Sequence, residues 1–122
     1  MTKPIVVAVD DDVRVRESIE SLVDSAGYTT VVFASAEDCL QSDALPHATC
    51  VIADVRMPGM DGIELQRRIR LQRPQLPIIF ISAHYEEEIR EQALLGGAAD
   101  FLYKPFDVAS LLAAIRQAVG RD

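Results

Sequence analysis

The sequence predicts an α/β protein: a doubly wound parallel sheet of five strands flanked by five helices. Three observations point there. Short β-branched and apolar runs alternate along the chain with stretches whose apolar residues recur at helical spacing, the pattern of successive βαβ units with right-handed crossovers. Most of the runs are continuously apolar, as strands buried on both faces are. Each of four runs also ends on or beside a polar residue: Asp10, Asp54, Ser82 and Lys104.

The first run, Ile5–Val9, leads into Asp10, Asp11 and Asp12, and helix signals begin at once. Val15, Ile19, Leu22, Val23 and Ala26 form the apolar stripe, with Arg14, Arg16, Glu17 and Glu20 off it. Gly27 stops this helix as a C′ residue. Thr29–Phe33 is the second strand. Ser35, Ala36, Glu37 and Asp38 then open a short helix with a capping-box-like start, running to about Ser42. Pro46 and His47 mark a loop. Residues 49–53 form the third strand, which ends on Asp54.

A turn at Met57, Pro58 and Gly59 follows, and Asp61 is the N-cap of the next helix with Glu64 as its partner three residues on. Gly62, Leu65 and Ile69 face the core; Arg67, Arg68 and Arg70 read as a solvated face. Pro74 and Pro77 bracket a connection. Residues 77–81 are the fourth strand, closing on Ser82. Glu86, Glu87 and Glu88 favour a helix start through the dipole, and Gly96 and Gly97 end that helix. Asp100–Tyr103 is the fifth strand, leading to Lys104 and Pro105. Asp107 caps the last helix, whose apolar row is Val108, Leu111, Leu112, Ile115 and Val119.

The 122 residues, 49% hydrophobic, suit one domain spanning 1–122. No run reaches the roughly 18 apolar residues of a membrane span, and the N-terminus lacks a signal peptide's pattern, so a cytoplasmic location is expected. In that compartment Cys39 and Cys50 are expected as free thiols. A net charge of −7 argues against a surface that grips nucleic acid directly.

In a parallel sheet all carboxyl ends share one edge, where ligands bind. That edge gathers Asp10, Asp11, Asp54, Ser82 and Lys104. Two like charges about 4 Å apart repel by roughly 4 kcal/mol at an effective dielectric near 20. Clustered carboxylates therefore call for a cation, and an all-oxygen set favours a hard divalent ion over zinc. A carboxylate nucleophile, a metal, a lysine and a hydroxyl together suit a phosphoryl group.

These residues carry a resemblance. Val9, Asp10 and Asp11; the stretch from Asp54 through Arg56, Met57, Pro58 and Gly59 to Asp61 and Gly62; Ile81, Ser82 and Ala83; and the stretch from Gly97 through Asp100, Phe101 and Tyr103 to Lys104 and Pro105 resemble the receiver domain of two-component response regulators along nearly the whole chain. The segment at Ser35 and the ending at Lys104, Pro105 and Phe106 are similar to FixJ-like receivers. The resemblance implies a flavodoxin-like sheet of strand order 2-1-3-4-5. It implies that Asp54 accepts a phosphoryl group from a sensor histidine kinase, and that Asp10, Asp11, Asp54 and the backbone carbonyl of Arg56 hold Mg²⁺, with Mn²⁺ able to substitute. Ser82 and Lys104 would contact the phosphoryl oxygens, Ser82 and Phe101 would form the switch with Phe101 turning inward, and the bond before Pro105 would be cis.

Such a protein is a phosphoacceptor rather than an enzyme with a turnover substrate, apart from self-catalysed phosphotransfer and slow autodephosphorylation. Its readout face would comprise residues 86–95, 100–103 and 107–119, forming a homodimer or docking an effector. Arg56 and His84, each two residues past a site residue, would tune the phosphoryl lifetime. FixJ-like receivers are commonly followed by a DNA-binding domain, so this chain fits the receiver half of a transcription regulator or a stand-alone receiver. Two alternatives use the same residues: an interaction module that works without phosphorylation, and an aspartate-nucleophile phosphatase. The latter usually carries a second acid where this sequence has Arg56.

Overall fold

Parallel strands β1 (Ile5–Val9), β2 (Thr29–Phe33), β3 (Cys50–Asp54), β4 (Ile78–Ser82) and β5 (Asp100–Tyr103) lie in the order β2-β1-β3-β4-β5 in a computed structural model that describes residues 3–120. Both the strand order and the fold class match the expectation. The helices are α1 (Val13–Ser25), α2 (Ala36–Gln41), α3 (Gly62–Gln72), α4 (Glu87–Leu95) and α5 (Val108–Val119), and a single 3₁₀ turn covers Leu45–His47, which the sequence marks only as a loop.

Side-chain alternation along the strands divides the core in two. Val7, Val9, Val51, Ala53, Ile78 and Phe80 face α2, α3 and α4. Val6, Ala8, Cys50, Ile52, Ile79 and Ile81 face α1 and α5. Cys39 packs in the first cluster and Cys50 in the second, so the two buried thiols lie on opposite sides of the sheet and are free. Burial pushes each thiol up to about 12.

Helix ends follow the local signals. Asp12, Ser35, Asp61 and Asp107 each accept a backbone N–H of the first turn, and Gly27 and Gly97 take positive φ just past α1 and α4. Glu64 completes only half of its box. Its N–H reaches Asp61, while its carboxylate turns to Arg67 and Arg68 and is held at a pKa of about 2 by them.

Two expectations need correction. Arg70 is half-buried rather than solvated, donating to the carbonyls of Leu76, Gly96 and Gly97 and so tying α3 to the end of α4. Val108 is 57% exposed in the first turn of α5, where the helix has not yet reached the sheet; Ala114 and Ala118 fill the buried face instead.

Candidate functional site

β1 and β3 are neighbours, and the chain leaves β1 for β2 on one side and reaches β3 on the other, which makes their carboxyl ends the switch point of the sheet. Asp10 follows β1 and is fully buried; Asp54 ends β3 and is 5% exposed. Ligand atoms of Asp10, Asp11 and Asp54 lie within 4.8 Å of one another. From the other side comes Lys104, carried past the end of β5, with Nζ 2.9 Å from Asp10 Oδ2 and 3.1 Å from Asp54 Oδ2. The Lys104–Pro105 bond is cis.

Asp10 and Asp54 each hold one oxygen on a backbone N–H two residues on. Asp10 Oδ1 accepts the Asp12 N–H at 2.9 Å, and Asp54 Oδ1 accepts the Arg56 N–H at 3.3 Å. Asp10 Oδ2 is buried and meets Lys104 as an ion pair without an aligned hydrogen bond. Burial, and then the charge of Asp10, raise the Asp54 carboxyl above its ordinary value, against the hydrogen bond and charge of Lys104. Burial pulls the Lys104 ammonium down, but its contacts with Asp10 and Asp54 outweigh that and leave it raised.

Three carboxylates facing one ammonium leave an excess of negative charge, and a buried oxygen that lacks an aligned donor is one a cation could take. The donors are all oxygen. The pocket could therefore bind a hard metal ion.

Ser82, 1% exposed, ends β4 beside this cluster. Its hydroxyl accepts the His84 N–H at 3.0 Å and donates to the His84 carbonyl at 3.2 Å, so it is engaged with its own loop. His84 and Arg56 are exposed, and the Arg56 guanidinium pairs with Glu86 at the start of α4. Phe101 is already buried, its ring 6.2 Å from Phe80 and 5.4 Å edge-on to Tyr103, which in turn stacks on Tyr85 at 4.3 Å. An inward turn of Phe101 from an exposed position thus does not start from this arrangement.

One contact at the site has no counterpart in the sequence reading. Arg16 donates to the Asp10 carbonyl at 2.8 Å. The available signal was directional: helix side chains lean toward the N-terminus, so an arginine one turn into α1 reaches back over the end of β1.

Comparison with known proteins agrees with this geometry. A family model described as the response regulator receiver domain matches residues 6–116. The transcriptional regulatory protein FixJ of Bradyrhizobium diazoefficiens is 42% identical over 97% of this chain and 58% of its own length. The chain spans about half the length of the curated relatives it matches. Among solved structures, the response regulator StyR superposes with a TM-score of 0.88 at 41% identity, covering 97% of this chain and 60% of that one. Vibrio cholerae chemotaxis protein CheY4 gives 0.88 at 28% identity, covering 96% and 99%.

Proposed function

The chain belongs to the response regulator receiver family, and on that footing we propose that residues 1–122 form one receiver domain in which Asp54 accepts a phosphoryl group from the phosphohistidine of a sensor histidine kinase. The observation that carries this is the Asp54 carboxylate itself. It is nearly buried at the carboxyl end of β3, paired with Lys104 and crowded by Asp10 and Asp11. A structural carboxylate gains little from such company, whereas a phosphoryl acceptor needs all of it.

A carboxylate oxygen of Asp54 attacks phosphorus. The new O–P bond forms as the N–P bond to the kinase imidazole breaks, and that nitrogen leaves with the bonding pair. Lys104 balances charge on the transferred group, as phosphoryl transfer requires of its surroundings. Asp10, Asp11, Asp54 and the Arg56 carbonyl are the residues that would hold Mg²⁺, which supplies neutralisation of the phosphoryl oxygens. Ser82 gives up its bonds to His84 to contact the new group and draws the start of α4 with it. Water later attacks the phosphorus; the O–P bond to Asp54 breaks, inorganic phosphate leaves and the Asp54 carboxylate is regenerated. The domain signals through occupancy of one residue and is not an enzyme with a separate substrate.

The face at 86–95, 100–103 and 107–119 would report that change to a second copy or to an output domain. No helix among the described residues is long and apolar enough to cross a membrane, and we place the protein's work in the cytoplasm. The FixJ likeness favours a transcriptional output. A stand-alone receiver is the second reading.

Incubating the protein with Mg²⁺ and a small phosphodonor tests the proposal. Intact-mass measurement should find one phosphoryl group on the wild type and none on Asp54→Asn. An Asp54→Asn protein that gains the same mass would overturn the assignment, and turnover of many donor molecules per minute would favour a phosphatase.

A further inference from the structure

The acidic residue in the first turn of α2 does more than cap that helix. Glu37 Oε2 accepts the Met60 N–H at 3.1 Å, across 23 residues of chain, in the loop that leads from Asp54 to α3. Gly59, at φ +76°, sits so close that a Cβ there would lie 2.5 Å from the same oxygen. The loop thus closes over the carboxylate at a residue with no side chain to obstruct it. Glu37 is half-buried, and its other oxygen, Oε1, is covered without a hydrogen-bond partner among the described residues.

The loop has few other holds. Its ends are fixed, since Val55 N–H donates to the Ile81 carbonyl at 3.2 Å and Gly62 N–H to the Val55 carbonyl at 2.8 Å. From Met57 to Met60, the Met60 N–H makes the sole backbone hydrogen bond to another element among the described residues. The backbone bonds to Glu37, its own amide's first and Met60's second, hold its carboxyl below the ordinary range, so it is an ionised acceptor at neutral pH.

We propose that Glu37 is a positioning residue for the cation site: by accepting the Met60 N–H it fixes the loop that begins at Arg56, and so places the Arg56 carbonyl for the metal. This rests on the cation site described under the proposed function. It makes α2, which lends no side chain to the acidic cluster, part of the apparatus that sets metal affinity. The effect acts through an outer contact on a ligand-bearing loop, a class of contact whose loss costs roughly tenfold or more in affinity.

The test is Mn²⁺ titration of the full chain, with free Mn²⁺ read by electron paramagnetic resonance, alongside hydrogen exchange of the Met60 amide by NMR. Three variants separate reach from charge. Glu37→Gln keeps an acceptor oxygen at the right length and loses the charge; it should bind Mn²⁺ within about twofold of wild type and keep Met60 protected. Glu37→Asp keeps a charge at the start of α2 but cannot reach; like Glu37→Ala, it should weaken binding about tenfold and expose the Met60 amide. Wild-type affinity in Glu37→Asp, or an equal loss in Glu37→Gln and Glu37→Ala, would overturn the proposal, the second by showing that charge and not reach is what counts. Should Glu37→Ala fail to fold, the Gln and Asp pair decides alone. Because Mn²⁺ binding needs no phosphoryl transfer, this result is read independently of the mass measurement on Asp54.

Discussion

Ser82 and His84 are tied to each other twice: the Ser82 hydroxyl accepts the His84 N–H at 3.0 Å and donates to the His84 carbonyl at 3.2 Å. A hydroxyl has one proton to give, so donating to a phosphoryl oxygen means releasing the His84 carbonyl. Phosphorylation of Asp54 and the conformation of the loop before α4 are therefore exclusive uses of one group.

Ser82→Ala removes both uses. The variant should still gain phosphoryl mass at Asp54 at a rate within about threefold of wild type, because Lys104 and the carboxylates remain. Amide shifts in α4 and β5 that accompany phosphorylation of the wild type should be lost. Full wild-type shifts in Ser82→Ala would mean that the signal leaves the site by another path.

Asp54 sets a pH dependence. Burial and the charge of Asp10 raise its folded pKa above the value of 3.8 it has unfolded. A raised carboxyl favours the protonated form in the fold, so the folded state binds more protons than the unfolded one in that window and stability falls as pH climbs through it. At neutral pH the ionised Asp54 is a net cost to the metal-free protein. Asp54→Asn should therefore melt higher than wild type at pH 7 without metal, and the gain should vanish as pH falls below the unfolded carboxyl value. Thermal melts of both proteins at pH 7 and at pH 3.5, in chelator, check it.

Most of the architecture and the cluster at the sheet edge were legible because parallel strands end at one edge, so that Asp10, Asp54, Ser82 and Lys104 could be placed together from strand positions alone. Caps at Asp12, Ser35, Asp61 and Asp107 were legible because their partners lie two or three residues away. What stayed hidden has a common physical form. Arg16, Glu37, Gln66 and Arg70 each reach a backbone N–H or carbonyl of a different element: Asp10, Met60, Ala93, and the carbonyls around Gly96. Every residue offers those backbone groups, so the sequence does not mark which one a distant side chain will choose; Arg16 alone, one turn from Asp10, had the N-terminal lean of helix side chains as a signal. Glu37 was further masked because an acid in a first turn is already accounted for by the helix dipole.

The Arg56 side chain pairs with Glu86, both about half exposed. An exposed pair contributes about 0–1 kcal/mol, so breaking it should leave the melting temperature nearly unchanged while freeing the guanidinium. Glu86→Gln should then lengthen the life of the phosphorylated form two- to threefold, as Arg56 screens the acyl phosphate from water, and Arg56→Ala should shorten it by a similar factor. Single-turnover dephosphorylation rates decide this. Equal rates in wild type, Glu86→Gln, Arg56→Ala and His84→Ala would remove both side chains from lifetime control.

Gly62 supports the nucleophile through absence. It opens α3, and a Cβ on it would stand 2.3 Å from the Asp54 carbonyl oxygen and 3.0 Å from the Val55 Cα. The φ of Gly62 is not left-handed, so alanine meets no backbone strain there. What it meets is backbone that cannot rotate aside, because Gly62 N–H is itself bonded to the Val55 carbonyl at 2.8 Å. Gly62→Ala must push α3 away from β3 or displace the end of β3 that carries Asp54. Overpacking of this kind costs about 1–3 kcal/mol. Because the displaced atoms belong to the phosphoacceptor, phosphorylation by a small donor should fall about tenfold or more even in the fraction that stays folded. Gly120→Ala, whose nearest contact is the Arg116 carbonyl at 3.3 Å at the far end of α5, should change neither quantity appreciably. If Gly62→Ala lost stability yet kept its phosphorylation rate, α3 would be the element that yields, and the end of β3 would be more firmly held than this contact implies.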